Sequence, residues 1–443
     1  NVKLVQGKVQ VKEVSMFKFE ASNAMIPAEL RPWEVLQTQT PIKSVKKIDY
    51  HPINSLSSSD TVNFDLPSLS NFMLKNIQIV TQVLVEKEGE ASDNEGFFFV
   101  SNPSHSLWQH VELTLNNRTS IMNPMAQSYN LEAFFETIFN EGQDRSDKLF
   151  AEQGFLLDDS KNKADSEKLD ILKDSVNAIK RSKKIQTNAV TFISDFNCSF
   201  IRQGKLLPTN LPMSIALTKN KSSYPLMQAE NKFELKIKQV FLRVTYVEPQ
   251  PSFLVAFNSM MAKKKALYEC TMGEISTFSI PPGNTRHTFT NLFTGKLPHF
   301  MVFAIQDREA LAGNSTKNPF TFHPFKSIQL FVNNKEYFPE LLECDIKNDD
   351  YTLMFNQFNE ALGYDKRGNC LINSENFKSH FMVPVALSSD RTINLHHNLQ
   401  EVVDFKVLIN FDGPTPADQV LMIYSSAEKL IQIDLERNIE IIQ

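Results

Sequence analysis

Glycine is scarce in this sequence, 13 of 443 residues, or about 3% against the ~7% usual in globular chains. That scarcity excludes collagen-like repeats and glycine linkers, and it leaves little material for phosphate-cradling turns. Neither G-x-G-x-x-G nor G-x-x-x-x-G-K occurs, and G-x-S-x-G and H-E-x-x-H are also missing. An excess of one charge is absent too. Lys and Arg total 46 against 51 Asp and Glu, a net charge of −5, which argues against coating nucleic acid through a basic face. No run of 18 or more uncharged apolar residues appears, so no spanning helix is expected. The stretch Asn1 to Phe19 alternates Lys with Val and Phe and lacks the compact apolar core of a signal peptide. The four cysteines, Cys198, Cys270, Cys344 and Cys370, form no C-x-x-C pair. A zinc site or dithiol redox motif is therefore not expected, and a reducing intracellular setting fits best.

What is present is phenylalanine: 35 residues, against 9 Tyr and 2 Trp. Phe has no polar handle, so most of these rings should be packed inside. The 42% hydrophobic content is ample for a large core, and the length allows two or three domains. Residues 1–45 read as an N-terminal arm, interrupted by Pro27, Pro32, Pro41 and a lone Trp33. From 46 to 247 the pattern is mostly β. Ile77, Ile79, Val83 and Val85 recur at even spacing, as do Val111, Leu113 and Leu115. Between Ile237 and Val240 the alternating phase slips by one residue, as a β-bulge requires. Leu131, Phe134, Phe135, Ile138 and Phe139 predict a short amphipathic helix, with Asn130 expected as its cap. Leu169, Leu172, Val176 and Ile179 predict another, inside a charged surface insertion over about 142–184. Glu248-Pro249-Gln250-Pro251-Ser252 reads as a linker, and a second domain is expected over 248–443.

The most informative feature is a self-similarity. Residues 111–118 read VELTLNNR and residues 328–335 read IQLFVNNK, an offset of 217, so two copies fill nearly the whole chain. Asn tolerates positive φ, so Asn116-Asn117 and Asn333-Asn334 each predict a tight hairpin turn. The flanks repeat in the same order. Asn102-Pro103 stands before the first copy and Asn318-Pro319 before the second. Apolar strands at 77–85 and 300–305 precede these, and Phe-rich helices at 131–139 and around Met354 to Leu362 follow. Two tandem β-sandwiches of about 200 residues, each with a short helix between later strands, predict an all-β double jelly roll of two eight-stranded units.

Candidate chemistry is thin. His110-Val111-Glu112 has the H-x-E pattern that, with a distant His, would make a two-His, one-carboxylate iron site. Val111, Leu113 and Leu115 occupy the apolar face, however, and the repeat carries Ser327 and Gln329 at these positions, which do not ligate iron. His396-His397 are adjacent and would point to opposite faces of a strand. The basic runs Lys180 to Lys184 and Lys263 to Lys265 read as solvated faces. Sequons at Asn117, Asn197, Asn220 and Asn314 are read as unmodified. No residue is assigned to catalysis, to a cofactor or to a metal.

Several ordered motifs nevertheless carry a resemblance. These are Asp49-Tyr50-His51-Pro52 followed by Val62-Asn63-Phe64-Asp65-Leu66, Asn102-Pro103-Ser104-His105-Ser106-Leu107 leading into VELTLNN, Leu292-Phe293-Thr294-Gly295-Lys296-Leu297-Pro298, and GNSTKNPFTF (313–322) leading into IQLFVNN. In order and spacing, from about Glu29 to the C-terminus, the chain resembles the double-jelly-roll major capsid proteins of Polinton (Maverick) elements and adintoviruses. Residues 1–28 and the lysine-rich 160–184 depart from that pattern. The resemblance implies a structural protein of the virion, not an enzyme. It implies a homotrimer whose six jelly rolls make a pseudo-hexagonal capsomer, and an icosahedral shell assembled inside the host cell, in cytoplasm or nucleus. A separate single-jelly-roll penton protein would sit at the vertices, and double-stranded DNA would be enclosed without sequence-specific binding. The alternatives are a domesticated or cellular tandem-sandwich binding protein and, with less support, a metal-dependent jelly-roll oxygenase.

Overall fold

The computed structural model describes residues 2–5, 8–11, 39–87, 90–91, 97–122, 128–158, 175–184, 189–228, 233–290, 292, 298–338, 341–363, 370–387, 402–416 and 418–442. The chain divides into Asn1–Pro41 and Ile42–Gln443. In the first unit Val2–Val5 pairs antiparallel with Lys8–Val11. The second unit carries the rest of the described structure.

Eight strands of its first half build the sandwich, β1 (Ile42–Tyr50), β2 (Thr61–Leu66), β3 (Met73–Lys87), β4 (Trp108–Leu115), β5 (Thr119–Ser120), β6 (Val190–Asp195), β7 (Met213–Lys219) and β8 (Phe233–Pro249), while the short Glu90–Ala91 pairs with β3 and Phe97–Phe99 pairs with Leu226–Gln228. The eight form two antiparallel sheets, with strand orders β1-β8-β3-β6 and β2-β7-β4-β5. Alternation decides which side chains meet between the sheets. In β2, Val62, Phe64 and Leu66 are buried while Asn63 and Asp65 are exposed, and β4 buries Val111, Leu113 and Leu115. The register of β8 on β3 shifts between Ile237 and Gln239, where the sequence changes phase.

The second half repeats this arrangement. Strands β9 (Ala266–Ile280), β10 (Arg286–Phe289), β11 (Phe300–Asp307), β12 (Ser327–Val332), β13 (Lys335–Glu336), β14 (Met382–Ala386), β15 (Phe405–Asn410) and β16 (Gln419–Ile433) have the orders β9-β16-β11-β14 and β10-β15-β12-β13. Each of β1 to β8 thus has its counterpart among β9 to β16, in the same sheet position. This is the eight-stranded jelly roll, built twice.

Helices occupy the connections. α1 (Tyr129–Asn140), α2 (Ser146–Gln153) and α3 (Val176–Lys183) lie between β5 and β6, α4 (Pro251–Met261) joins the rolls, and α5 (Thr352–Leu362) lies between β13 and β14. Three expectations need revision. The cap of α1 is Ser128, not Asn130. Asn130 is already helical, and its side-chain oxygen accepts the Leu131 N–H at 2.9 Å. β1 begins at Ile42, ahead of the expected boundary at Lys46, because Ile42 to Val45 pair with Val247 to Pro249. The stretch 248–252 is no loose linker: Pro249 ends β8, where its missing N–H does no harm, and Pro251 opens α4 with its preset φ. Leu169, Leu172 and the His396-His397 pair lie outside the described residues, as does the arm from 12 to 38.

The paired asparagines sit in left-handed conformations, with φ of 51° and 54° at Asn116 and Asn117 and of 50° and 60° at Asn333 and Asn334. In the second roll they form a two-residue turn between Val332 and Lys335. In the first, Arg118 joins the turn and donates its N–H to the Leu115 carbonyl at 3.1 Å. Left-handed backbone costs an ordinary L-residue about 1–2 kcal/mol, which Asn and Gly largely avoid. Asn117→Val or Asn334→Val should therefore lower unfolding free energy by about 1–2 kcal/mol in denaturant titration, while the Gly variants stay within ~0.5 kcal/mol of the parent. Equal effects of Val and Gly would show that the turns bear no such constraint.

Candidate functional site at the junction of the two rolls

With no catalytic constellation in the sequence, attention falls on how one chain holds two sandwiches together. α1 belongs to the first roll by sequence but buries its apolar face against the second. Phe134 stacks on Phe320 with ring centroids 4.5 Å apart and an interplanar angle of 24°. Phe135 lies parallel to Phe322 at 5.5 Å and contacts Tyr424, and Phe139 meets Phe300 edge-on at 5.4 Å. Periodicity explains the placement, since residues 131, 134, 135 and 138 share one side of the helix and all are buried. The first roll's α1 thus supplies part of the second roll's core.

The opposite side of α1 is polar and enclosed. Glu136 pairs with Arg202, whose guanidinium also donates to Asn197 Oδ1 at 2.6 Å. Burial pushes the Glu136 carboxyl up despite that partner, and pushes Glu132, near Glu136 and Glu274, well above its usual range. Nearby, His105 Nδ1 lies 3.2 Å from the Tyr129 hydroxyl, and burial holds its imidazole down to about 3.

A second tie lies beside the stacked rings. Arg181 is 2% exposed. Its guanidinium donates to the carbonyls of Phe99 at 2.9 Å and Leu156 at 2.6 Å, and to Asp158 Oδ1 at 2.5 Å. The other carboxylate oxygen of Asp158 accepts from Asn318 Nδ2 at 2.6 Å, and Asn318 Oδ1 in turn accepts the Phe320 N–H at 3.0 Å. One buried carboxylate from the insertion therefore fixes the asparagine that orients the ring on which Phe134 stacks. The basic run at 180–184 is in part structural, which corrects its reading as a solvated face. Lys184 also donates to the Ala151 carbonyl at 2.6 Å, and Lys180 lies 4.8 Å from the Phe150 ring centroid.

A third tie closes the other end of the junction. Asn116 Nδ2 donates to the Arg437 carbonyl at 3.1 Å, and Arg437, at φ 67°, sends Nε to the Thr209 carbonyl at 2.6 Å. Tyr268 donates its hydroxyl to the Leu206 carbonyl at 3.1 Å.

The repeat residues thus take different places. Asn318 and Asn116 reach across the junction. Asn102 and Pro103 cap and open the short helix Pro103–Ser106, with the Asn102 carbonyl accepting the Ser106 N–H at 3.1 Å. The Pro319 carbonyl accepts from Gln306, and Asn333 Oδ1 accepts the Asp404 N–H at 3.0 Å. Asn117 and Asn334 stand exposed in their turns. His110 and Glu112 are half-buried on β4, paired in register with Thr218 and Ala216. Among the described residues no group of three His, Cys, Asp or Glu is placed to hold a metal ion. The four cysteines are free thiols, and burial pushes Cys198 up to about 12 and Cys270 up to about 11. Sequence reasoning missed Asp158 and α4 as parts of the junction. Asp158 had no signal beyond a charged stretch, and the start of α4 fell in the stretch 248–252 read as a linker.

Solved structures share this fold over nearly their whole length. A cryo-EM structure of the Sputnik virophage aligns with a TM-score of 0.62 at 11% identity, covering 98% of this chain and 93% of that one. The mavirus major capsid protein aligns at 0.56 and 11% identity, covering 96% and 97%. The PBCV-1 virus capsid aligns at 0.61 and 10% identity, covering 93% and 99%. The fold is the double jelly roll of viral major capsid proteins. No protein-family model matches the sequence. An uncharacterized Caenorhabditis elegans protein is 20% identical over 352 residues, spanning 76% of this chain and 80% of that protein.

Two predictions follow from the junction. Asp158→Ala strands the Arg181 charge and should cost about 3–5 kcal/mol, whereas Asp158→Leu combined with Arg181→Met removes both charges and should cost clearly less, the remainder coming from the Asn318 amide and the Phe99 and Leu156 carbonyls left without partners. Thermal unfolding of the two variants decides, and a double variant as unstable as the single would refute the stranded-charge account. His105 bears on pH. Its folded pKa lies below the unfolded ~6.5, so the unfolded chain takes the proton first. Its stabilising contribution, whole above that value, is lost as pH falls toward 3. Between pH 7 and 5 the parent should lose about 2 kcal/mol more than His105→Gln does. Identical pH profiles would show that the ring is not held neutral.

Proposed function

We propose that this chain is the major capsid protein of a Polinton (Maverick) or adintovirus-like element, acting structurally and not as an enzyme. The observation that carries this reading is a single chain with two rolls of identical strand order packed on a shared core. Three such chains about a threefold axis present six similar sandwiches, a nearly sixfold outline suited to tiling a shell. Likeness to capsid folds over more than nine-tenths of the chain supports the same reading.

In this proposal homotrimers form the capsomers, capsomer contacts build an icosahedral shell in the host cell, and a single-jelly-roll penton protein closes the vertices. The shell encloses double-stranded DNA without reading its sequence. The repeat residues Asn102, Pro103, Asn116, Asn117, Asn318, Pro319, Asn333 and Asn334 shape and join the rolls. The helical insertion over about 142–184, with α2 and α3, forms the outer crown or contacts neighbouring subunits, and the arm at 1–45 reaches across the inner surface to a neighbour. Among the described residues no helix is long and apolar enough to cross a membrane. A second reading, a cellular copy of such a gene that makes no shell, draws on the likeness to the uncharacterized nematode protein.

Solution mass followed by negative-stain imaging tests the proposal. A stable trimer that forms closed shells is the expected result. A monomer that forms none at any concentration would overturn it in favour of the cellular reading.

A further inference from the structure

Strand direction defines two ends of the double sandwich. Pro249 pairs with Ile42 and Val247 with Met73, while Ala266 pairs with Ile433, so the entry to β1, the exit of β8, α4 and the start of β9 share one end. β6 enters opposite Val83 and Phe233 lies opposite Lys87, so the long insertion joins the sheet from the other end.

Exposed apolar side chains gather at the first of these ends. On α4, Val255 is 68% exposed, Met260 58% and Phe253 38%, with Phe253 and Phe257 stacked at 6.1 Å. Only Met261 of this helix is fully buried. Ile42 and Val45 on β1 and Leu267 on β9 are also exposed. The helix carries no charged residue, and from Pro249 to Tyr268 the only ionic side chains are Lys263, Lys264 and Lys265. Lys265 pairs with Glu440 at 2.6 Å, while Lys263 and Lys264 are exposed. An uncharged helix this exposed is out of place on a surface facing water.

We propose that α4 and the lysines that follow it form a docking surface for an anionic lipid bilayer. The helix turns Phe253, Val255 and Met260 to solvent, whereas the groove lined by Lys219, Lys221, Lys236 and Lys238 lies at the insertion end. Exposed Phe, Val and Met followed by cations suit a deformable apolar layer beneath anionic headgroups. Charge complementarity selects lipid over a protein partner, because no carboxylate on the helix offers a partner a directional contact. One helix binds weakly, and many copies in an assembly bind through avidity. The inference rests on the shell proposal for its direction, since the crown at the opposite end places α4 on the inner side.

The test is co-sedimentation of the full chain with vesicles of phosphatidylcholine containing about one-third phosphatidylserine, against phosphatidylcholine alone, with oligomer mass and shells followed in parallel. Anionic vesicles should be bound and neutral ones much less. Lys263→Gln combined with Lys264→Gln should weaken binding about 25-fold, at about fivefold per lysine, and Val255→Asp should abolish it, both without changing oligomer mass. Unassembled oligomers of a chain that also forms shells, if they ignore anionic vesicles or bind both kinds equally, would overturn this inference and leave the shell proposal standing. Loss of oligomer mass in Val255→Asp would also overturn it, by showing that a second copy covers the helix. A monomer that binds anionic vesicles through α4 would support it while defeating the shell.

Discussion

The double sandwich depends on the stacking of Phe134 on Phe320, held in place by Asp158. Each roll buries its own inner faces, but a helix that carries Phe134, Phe135 and Phe139 on one side cannot lie against solvent. It fills the second roll instead, and so makes the two sandwiches one body. The carboxylate of Asp158 gives that contact its direction. It accepts from Arg181 on one oxygen and from Asn318 on the other, and Asn318 sets the backbone at Phe320. Hydrophobic area alone would tolerate several ring placements, whereas a buried carboxylate with two committed donors tolerates few.

Much of the fold was legible because β alternation and turn chemistry are local. The eight-residue repeat located β4 and β12, the paired asparagines located their turns, and the phase slip located the bulge in β8. The spacing of Phe134, Phe135 and Ile138 announced a helix with one apolar face. What that face covers was not written locally, because its partners Phe320, Phe322 and Tyr424 come nearly 200 residues or more later. Arg181 was misread for the same reason. A Lys-rich run looks solvated until a carboxylate from another segment, here Asp158, is brought beneath it. Asn130 failed as a cap because the helix already begins at Tyr129, one residue earlier.

Duplication also shows where the two copies stopped being equivalent. Asn102 and Asn318 occupy matching places before β4 and β12. Asn102 stays within its own roll as the cap of a short helix, while Asn318 spends its amide on the other roll. The turn asparagines divide the opposite way, with Asn116 reaching Arg437 across the junction and Asn333 bonding Asp404 in its own sandwich. Matching positions in a repeat therefore took up complementary work at the two ends of one interface.

The placement of α1 has a consequence for synthesis. β1 and β8 close the first roll once residue 249 has left the ribosome, but α1 finds its full partner only when β16 brings Tyr424 into place. At ~5–20 residues per second, the roughly 175 intervening residues take on the order of 10–30 s. Throughout that interval the nascent first sandwich carries an uncovered phenylalanine helix, a natural point for chaperone capture and, in crowded expression, for premature self-association.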